Sequence, residues 1–134
     1  MSNLKYLLDT DTVIYFFKGR GGVAQRLLQT SPSEVALSSI SLYELHVGVV
    51  RSAQPERTLS QLQELLKLVV LLPFDDAAAQ AAAEVRGQLE RAGAVIGTLD
   101  TLIAGVAIAQ GLTLVTHNLS EFQRVPNLRL EDWF

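Results

Sequence analysis

Short apolar runs alternate with longer helical stretches from one end of the chain to the other, and this alternation limits the possible folds more than any other feature. The apolar runs are Tyr6 to Leu8, Val35 to Leu37, Val69 to Leu72, Leu112 to Val115 and, at the far end, Leu128 to Leu130. Between them the sequence predicts helices over Asp11 to Lys18, closed by Gly19, and over Val23 to Gln29 after a Gly21-Gly22 loop. A helix from Ser41 toward Val50 is followed by the polar stretch Ser52 to Glu56 and an amphipathic helix over Arg57 to Lys67. The alanine-rich segment Asp76 to Arg91 has strong helix propensity and ends at Gly93; the loop "AVIGT" then leads to a helix over Asp100 to Gln110, and "HNLSEF" reads as a turn with a helical fragment. Strands that are apolar throughout and separated by helices belong to a parallel sheet covered on both sides. The expected fold class is therefore α/β, with a central parallel sheet of four to five strands flanked by helices on both faces.

Composition narrows the functional classes. A chain of 134 residues suits one domain spanning the whole length, burying roughly two thirds of its unfolded surface. Its apolar content is 49%, yet no apolar run approaches the roughly 20 residues needed to cross a bilayer. Met1 leads into a polar opening and then a strand, without the pattern of an export signal. The absence of cysteine excludes disulfides and thiolate metal sites. A soluble cytoplasmic protein with no membrane partner is expected. The net charge of −3 argues against a broad, non-specific nucleic-acid binder. A nuclease remains open, because a carboxylate-rich centre contributes negative charge and a local basic patch still holds one RNA. Lys18, Arg20, Arg51, Arg57, Arg86 and Arg91 are the candidates for that patch, against the ordinary reading of a solvated surface.

In parallel sheets ligands sit beyond the carboxyl ends of the strands. Asp9 follows the first strand, Glu44 lies soon after the second, Asp100 opens a helix, and Thr116 to Asn118 follow the fourth strand. Each has an ordinary role as well. Asp9 suits a helix cap, Ser41-x-x-Glu44 matches a capping box, Asp100 complements a helix dipole, and Asn118 suits a turn. Their shared placement adds something, since three carboxylates at one edge raise each other's pKa unless a cation compensates. Oxygen-only ligands suit Mg²⁺ or Mn²⁺, and no histidine cluster stands ready for zinc. His46, two residues past Glu44, is expected on another face of its helix, and His117 at the surface within reach of a substrate.

Two other readings compete. An apolar strand ending in Asp-x-Asp-x-Thr also describes haloacid-dehalogenase-type phosphatases, with Asp9 as nucleophile and "VALSS" imitating their second motif. Those enzymes place a flap after the nucleophile and need a downstream lysine, whereas here "VIYFFKG" follows at once and the only later lysine is Lys67. A non-catalytic binding module of the same fold is the other, supported by the acidic balance and by Asn118.

The stretches "YLLDTDTVIYFFKG", "VALSSISLYELHVGVVRS", "LPFDDAAAQAAAEVRGQLERAGAVIGTLDTLIAGVAIAQGLTLVTHN" and "SEFQRVPNLRLEDW" together resemble PIN-domain ribonucleases, specifically the VapC toxins of toxin–antitoxin pairs. The resemblance covers nearly the whole chain and implies the PIN-like fold. It implies an acidic centre of Asp9, Glu44 and Asp100 holding Mg²⁺ or Mn²⁺, assisted by Thr10 and Thr116, for endonucleolytic cleavage of RNA, with tRNA the expected substrate. Two departures stand out: Asp11 replaces the asparagine of many relatives, as helix cap or outer-sphere ligand, and Asn118 stands where many PIN domains carry a fourth carboxylate. The implied partner is a VapB-type antitoxin, whose arginine would pair with the carboxylates. A homodimer and a hetero-oligomer with the antitoxin are expected, with "VIYFF" and "LQELLKLVVLL" supplying an apolar groove for an antitoxin helix.

Overall fold

The structure is a computed structural model that describes residues 3–134. Five strands form one sheet: β1 (Tyr6–Leu8), β2 (Val35–Ser38), β3 (Val70–Leu72), β4 (Thr113–Val115) and β5 (Leu130–Glu131). The helices are α1 (Thr10–Lys18), α2 (Val23–Leu28), α3 (Ser39–Arg51), α4 (Pro55–Leu66), α5 (Asp76–Ala92), α6 (Thr98–Gln110) and α7 (Leu119–Phe122), with one 3₁₀ turn at Pro32–Glu34.

The strand order is β3-β2-β1-β4-β5, and every pairing is parallel. The chain thus builds outward from β1 in one direction and returns to β1's other side with β4, so the order reverses between β1 and β4. Such a reversal leaves a crevice beyond the carboxyl ends of the two strands. Asp9 and Thr116 are the residues that immediately follow those two strands.

Side chains alternate across the strands, as a period of two requires. Leu7, Ala36 and Leu114 enter one core with Ala78, Val85 and Leu89 of α5 and Ile103 and Val106 of α6. Leu8, Val35, Leu37 and Val115 enter the other, with Val13 of α1, Leu27 of α2, Leu45 of α3, and Leu62 and Leu65 of α4. Helices therefore cover both faces, as the sequence predicts. The edge strand β3 leaves Val70 and Leu71 exposed. No helix among the described residues is long and apolar enough to cross a membrane.

Several boundaries differ from expectation, each for a local reason. α1 starts at Thr10 because the Asp9 carboxylate accepts a hydrogen bond from the Thr12 amide at 2.8 Å. α3 starts at Ser39 because the Ser38 hydroxyl accepts from the Ser41 amide at 3.1 Å. α4 starts at Pro55, a residue pre-set for the first helical position. β5 falls on Leu130–Glu131, two residues beyond the expected start at Leu128, after the left-handed Asn127 with φ 63°.

The closest helix pair is α5 against α6. Alanines at 78 and 82 leave room for Gly105, where even a Cβ would stand 2.6 Å from the Ala82 Cβ and 2.8 Å from the Ala78 carbonyl oxygen. That contact fixes α6 against the sheet layer, and with it the position of Asp100 on its first turn.

Candidate functional site

Asp9 ends the central strand, and its amide still bonds to the Val115 carbonyl of β4 at 3.0 Å. Its side chain is only 3% exposed. Burial is the main cause that raises its pKa above the usual carboxylate value, opposed by hydrogen bonds from the Thr116 hydroxyl and from Thr12, with a small further rise from Asp11. The ordinary and the chemical reading thus coincide in one residue: Asp9 caps α1 through one oxygen and faces the crevice.

Glu44 reaches the same edge from α3. With Ser38 as cap, Glu44 lies in the second turn of the helix, so the capping box expected from Ser41-x-x-Glu44 does not form. The Thr10 hydroxyl instead donates to Glu44 Oε1 at 2.6 Å and lies 3.0 Å from the Ser41 hydroxyl oxygen. Ser41 and Glu44 are thus joined not by a capping box but through the Thr10 hydroxyl, which fixes the Glu44 carboxylate.

Asp100 sits at the third position of α6. Its pKa is pushed up to about 7, chiefly by burial and then by the negative charges of Glu121, Glu44 and Asp9, with a hydrogen bond to Glu121 adding to the rise. Glu121, Glu44 and Asp9 therefore all lie within electrostatic reach of Asp100. Glu121 is the residue that the sequence reading missed. It stands on α7, three positions after Asn118, and the Asn118 amide donates to Glu121 Oε2 at 3.2 Å. The fourth acid sought at position 118 is thus supplied at 121, and Asn118 holds it. Thr116 is fully buried, and its hydroxyl accepts from the Asn118 backbone N–H at 2.9 Å, fixing the turn that carries Asn118.

Among the described residues no three Asp, Glu or His side chains form a finished cation cage. Magnesium does not need one, since it commonly takes one or two carboxylates and keeps several waters. The donors present are carboxylates, hydroxyls and one amide, all hard oxygen ligands suited to Mg²⁺ or Mn²⁺. Crowded carboxylates are the electrostatic character of the site, and a divalent cation would relieve their repulsion.

The remaining candidates fall elsewhere. Asp11 and His46 are exposed. The His117 Nδ1 pairs with Asp132 at 2.9 Å, and its ring stacks on Phe134 at 4.1 Å, next to Tyr15. Lys67 pairs with Glu64 at 3.0 Å on the exposed face of its helix, so it does not serve Asp9 as a phosphatase lysine would. Arg86 is engaged by Glu90 at 3.2 Å. Lys18 and Arg57 line a groove of about 570 Å³ between α1, α3 and α4 that also has Glu44 in its wall.

A family model described as the PIN domain matches residues 6–128. The chain is 38% identical over 130 residues to a Salmonella typhimurium protein named tRNA(fMet)-specific endonuclease VapC, covering 97% of this chain and 98% of the relative. It is likewise 38% identical to a Rickettsia felis protein named Ribonuclease VapC2, with 96% and 97% covered. Among solved structures, DNA-bound VapBC from Salmonella typhimurium matches with a TM-score of 0.92 and 38% identity, over 98% of this chain and 99% of that one.

Proposed function

Because the chain belongs to the PIN-domain family, we propose that it is a toxin of the VapC type: a metal-dependent endoribonuclease that cuts tRNA and is restrained by a VapB-type antitoxin. The observation that carries this reading is the convergence of Asp9, Glu44, Asp100 and Glu121 at the reversal point of the sheet, with the pKa of Asp9 and Asp100 raised. A relative named as a tRNA(fMet)-specific endonuclease VapC supports the activity and the substrate class, and one named Ribonuclease VapC2 supports the activity, each matched over nearly its full length.

Asp9 and Asp100, flanked by Glu44 and Glu121, are the residues that would hold Mg²⁺ or Mn²⁺. Bound there, the ion lowers the pKa of a water and offsets charge on the phosphate. Glu44, immobilised by Thr10, orients the attacking water at the mouth of the crevice. Thr116 keeps Asp9 in place from below, and Asn118 does the same for Glu121. An antitoxin arginine would satisfy the same carboxylates in a planar, two-pronged pair, so inhibitor and cation compete.

The same reading places the protein in the cytoplasm with its RNA, as a homodimer and in a hetero-oligomer with the antitoxin. Tyr43 and Val50 on α3, with Val70 and Leu71 on the sheet edge, are exposed apolar side chains that such contacts would cover. The groove expected for an antitoxin helix has Ile14, Phe17 and Leu45 in its floor.

The phosphatase alternative is not favoured, because α1 begins directly after Asp9 and leaves no room for a flap. Incubating antitoxin-free protein with total tRNA, with and without Mg²⁺, tests the proposal. Discrete fragments that appear only with the cation are expected; intact tRNA under both conditions, or turnover of small phosphoesters instead, would overturn it.

A further inference from the structure

The groove between α1, α3 and α4 gathers two cations without partners into one opening, whereas Arg20, Arg51 and Arg91, which also make no ion pair among the described residues, lie outside its lining. Lys5, Arg26, Lys67 and Arg86 each face a carboxylate partner, at 2.9, 2.7, 3.0 and 3.2 Å. Lys18 and Arg57, on opposite sides of the groove, make no ion pair or side-chain hydrogen bond among the described residues. Two unpaired cations beside a carboxylate-walled opening are an arrangement suited to phosphates that continue from a cation-bound one. The space between them is of a size used for small-ligand sites, about 300–1,000 Å³. Its lining includes the apolar Ile14 and Phe17 and the polar residues Gln54 and Gln61. At Gly48 the floor is open: a Cβ built there meets nothing within 4 Å.

Resting on the endoribonuclease reading, we infer that this groove is a subsite for an unpaired nucleotide of the RNA substrate beside the scissile phosphate. Lys18 and Arg57 hold the flanking phosphates as positioning residues. The base lies on Ile14 and Phe17, and the two glutamines face its hydrogen-bonding edge. RNA is read mainly where bases are unstacked and free to enter such a pocket, which suits a protein whose net charge of −3 leaves little for general attraction. An antitoxin segment seated here would exclude substrate from the groove as well as from the carboxylates.

The test uses antitoxin-free protein carrying Asp9→Asn, so that RNA is bound without being cut, and a fluorescent single-stranded oligoribonucleotide read by anisotropy between 50 and 200 mM NaCl, the range over which phosphate contacts reveal themselves. Lys18→Gln and Arg57→Gln should each weaken binding several-fold and flatten the log–log salt slope by about 0.7, the value for one phosphate contact on a single strand. Gly48→Leu, whose Cβ would enter open space and whose side chain would take up groove volume, should weaken binding with the slope unchanged. Lys5→Gln removes the same charge at the opposite end of β1 and should change neither. With Asp9 intact, the three groove variants should raise KM for tRNA more than they lower kcat. If they bind and cut like Lys5→Gln while the parent cuts tRNA, the groove assignment fails and the nuclease reading stands; the same holds if they lose affinity only for the antitoxin. If the parent neither binds nor cuts RNA, both fail.

Discussion

Gly105 on α6 and Gly48 on α3 sit on helices that cover opposite faces of the sheet, and their surroundings are opposite too. At Gly105 an added methyl would press on the Ala82 Cβ and backbone, whereas at Gly48 it would point into open space. One face is closed by small residues until the helices touch, which locks α6 and delivers Asp100. The other is left open along α1, α3 and α4, and that opening leads to Glu44. Both layers contribute carboxylates to a single edge, and the groove of the open layer has one of them, Glu44, in its wall.

The strongest way to break this picture is at the edge the layers share. Asp100→Asn should remove several kcal/mol of transition-state stabilisation, at least about 100-fold in tRNA cleavage, while circular dichroism shows the fold unchanged. Asp9→Asn should do the same from the central strand, with a further small loss of stability if the amide caps α1 less well. Undiminished cleavage by either variant would separate the site from the chemistry.

Glu44→Gln is a finer probe of the open layer. Gln retains an oxygen to accept from Thr10 but loses the charge, so cleavage should fall about 10–100-fold, the range for a group acting next to a metal ligand. Unchanged kcat/KM would leave Glu44 only its structural bond to Thr10.

The two glycines themselves give opposite signs in denaturant unfolding. Gly105→Ala should cost about 1–3 kcal/mol through forced overpacking. Gly48→Ala should stabilise by about 0.5–1 kcal/mol through lower chain entropy in the unfolded state and better helix propensity. Equal effects would mean that the layers are not packed so differently.

A separate probe of the shared edge is pH dependence. With the Asp100 pKa raised from 3.8 to about 7, the folded state holds a proton that the unfolded state has released across that window. Asp100 therefore favours folding at low pH, and its contribution is lost as pH rises from about 4 to about 7. In EDTA the Tm should drift downward over that range, and Asp100→Asn should flatten the drift; a Tm rising there because of Asp100 would contradict the assigned environment.

Much of this arrangement was legible before any coordinates. The apolar runs that begin at Tyr6, Val35 and Leu112 mark the central strands, because burial on both faces leaves few polar positions to confuse the pattern. Asp9, Glu44 and Asp100 could be placed at one edge from topology alone. What the sequence hid were the choices made by single hydrogen bonds. Ser38 rather than Ser41 caps α3, which moves Glu44 out of the first turn and toward Thr10. Glu121 was overlooked because α7 is a single turn, too short for periodicity to reveal, and its approach to Asp100 joins residues 21 positions apart. Lys18 and Arg57 could not be singled out among the surface cations without the groove that brings them together.

The central claim is that the two layers meet at one cation site. It is tested most directly by calorimetric titration of Mn²⁺ into antitoxin-free protein, Asp9→Asn, Asp100→Asn and the double variant. If both carboxylates serve the same ion, each single change lowers affinity sharply and the double loses far less than the sum of the two. Wild-type Mn²⁺ affinity in either single variant would contradict the account.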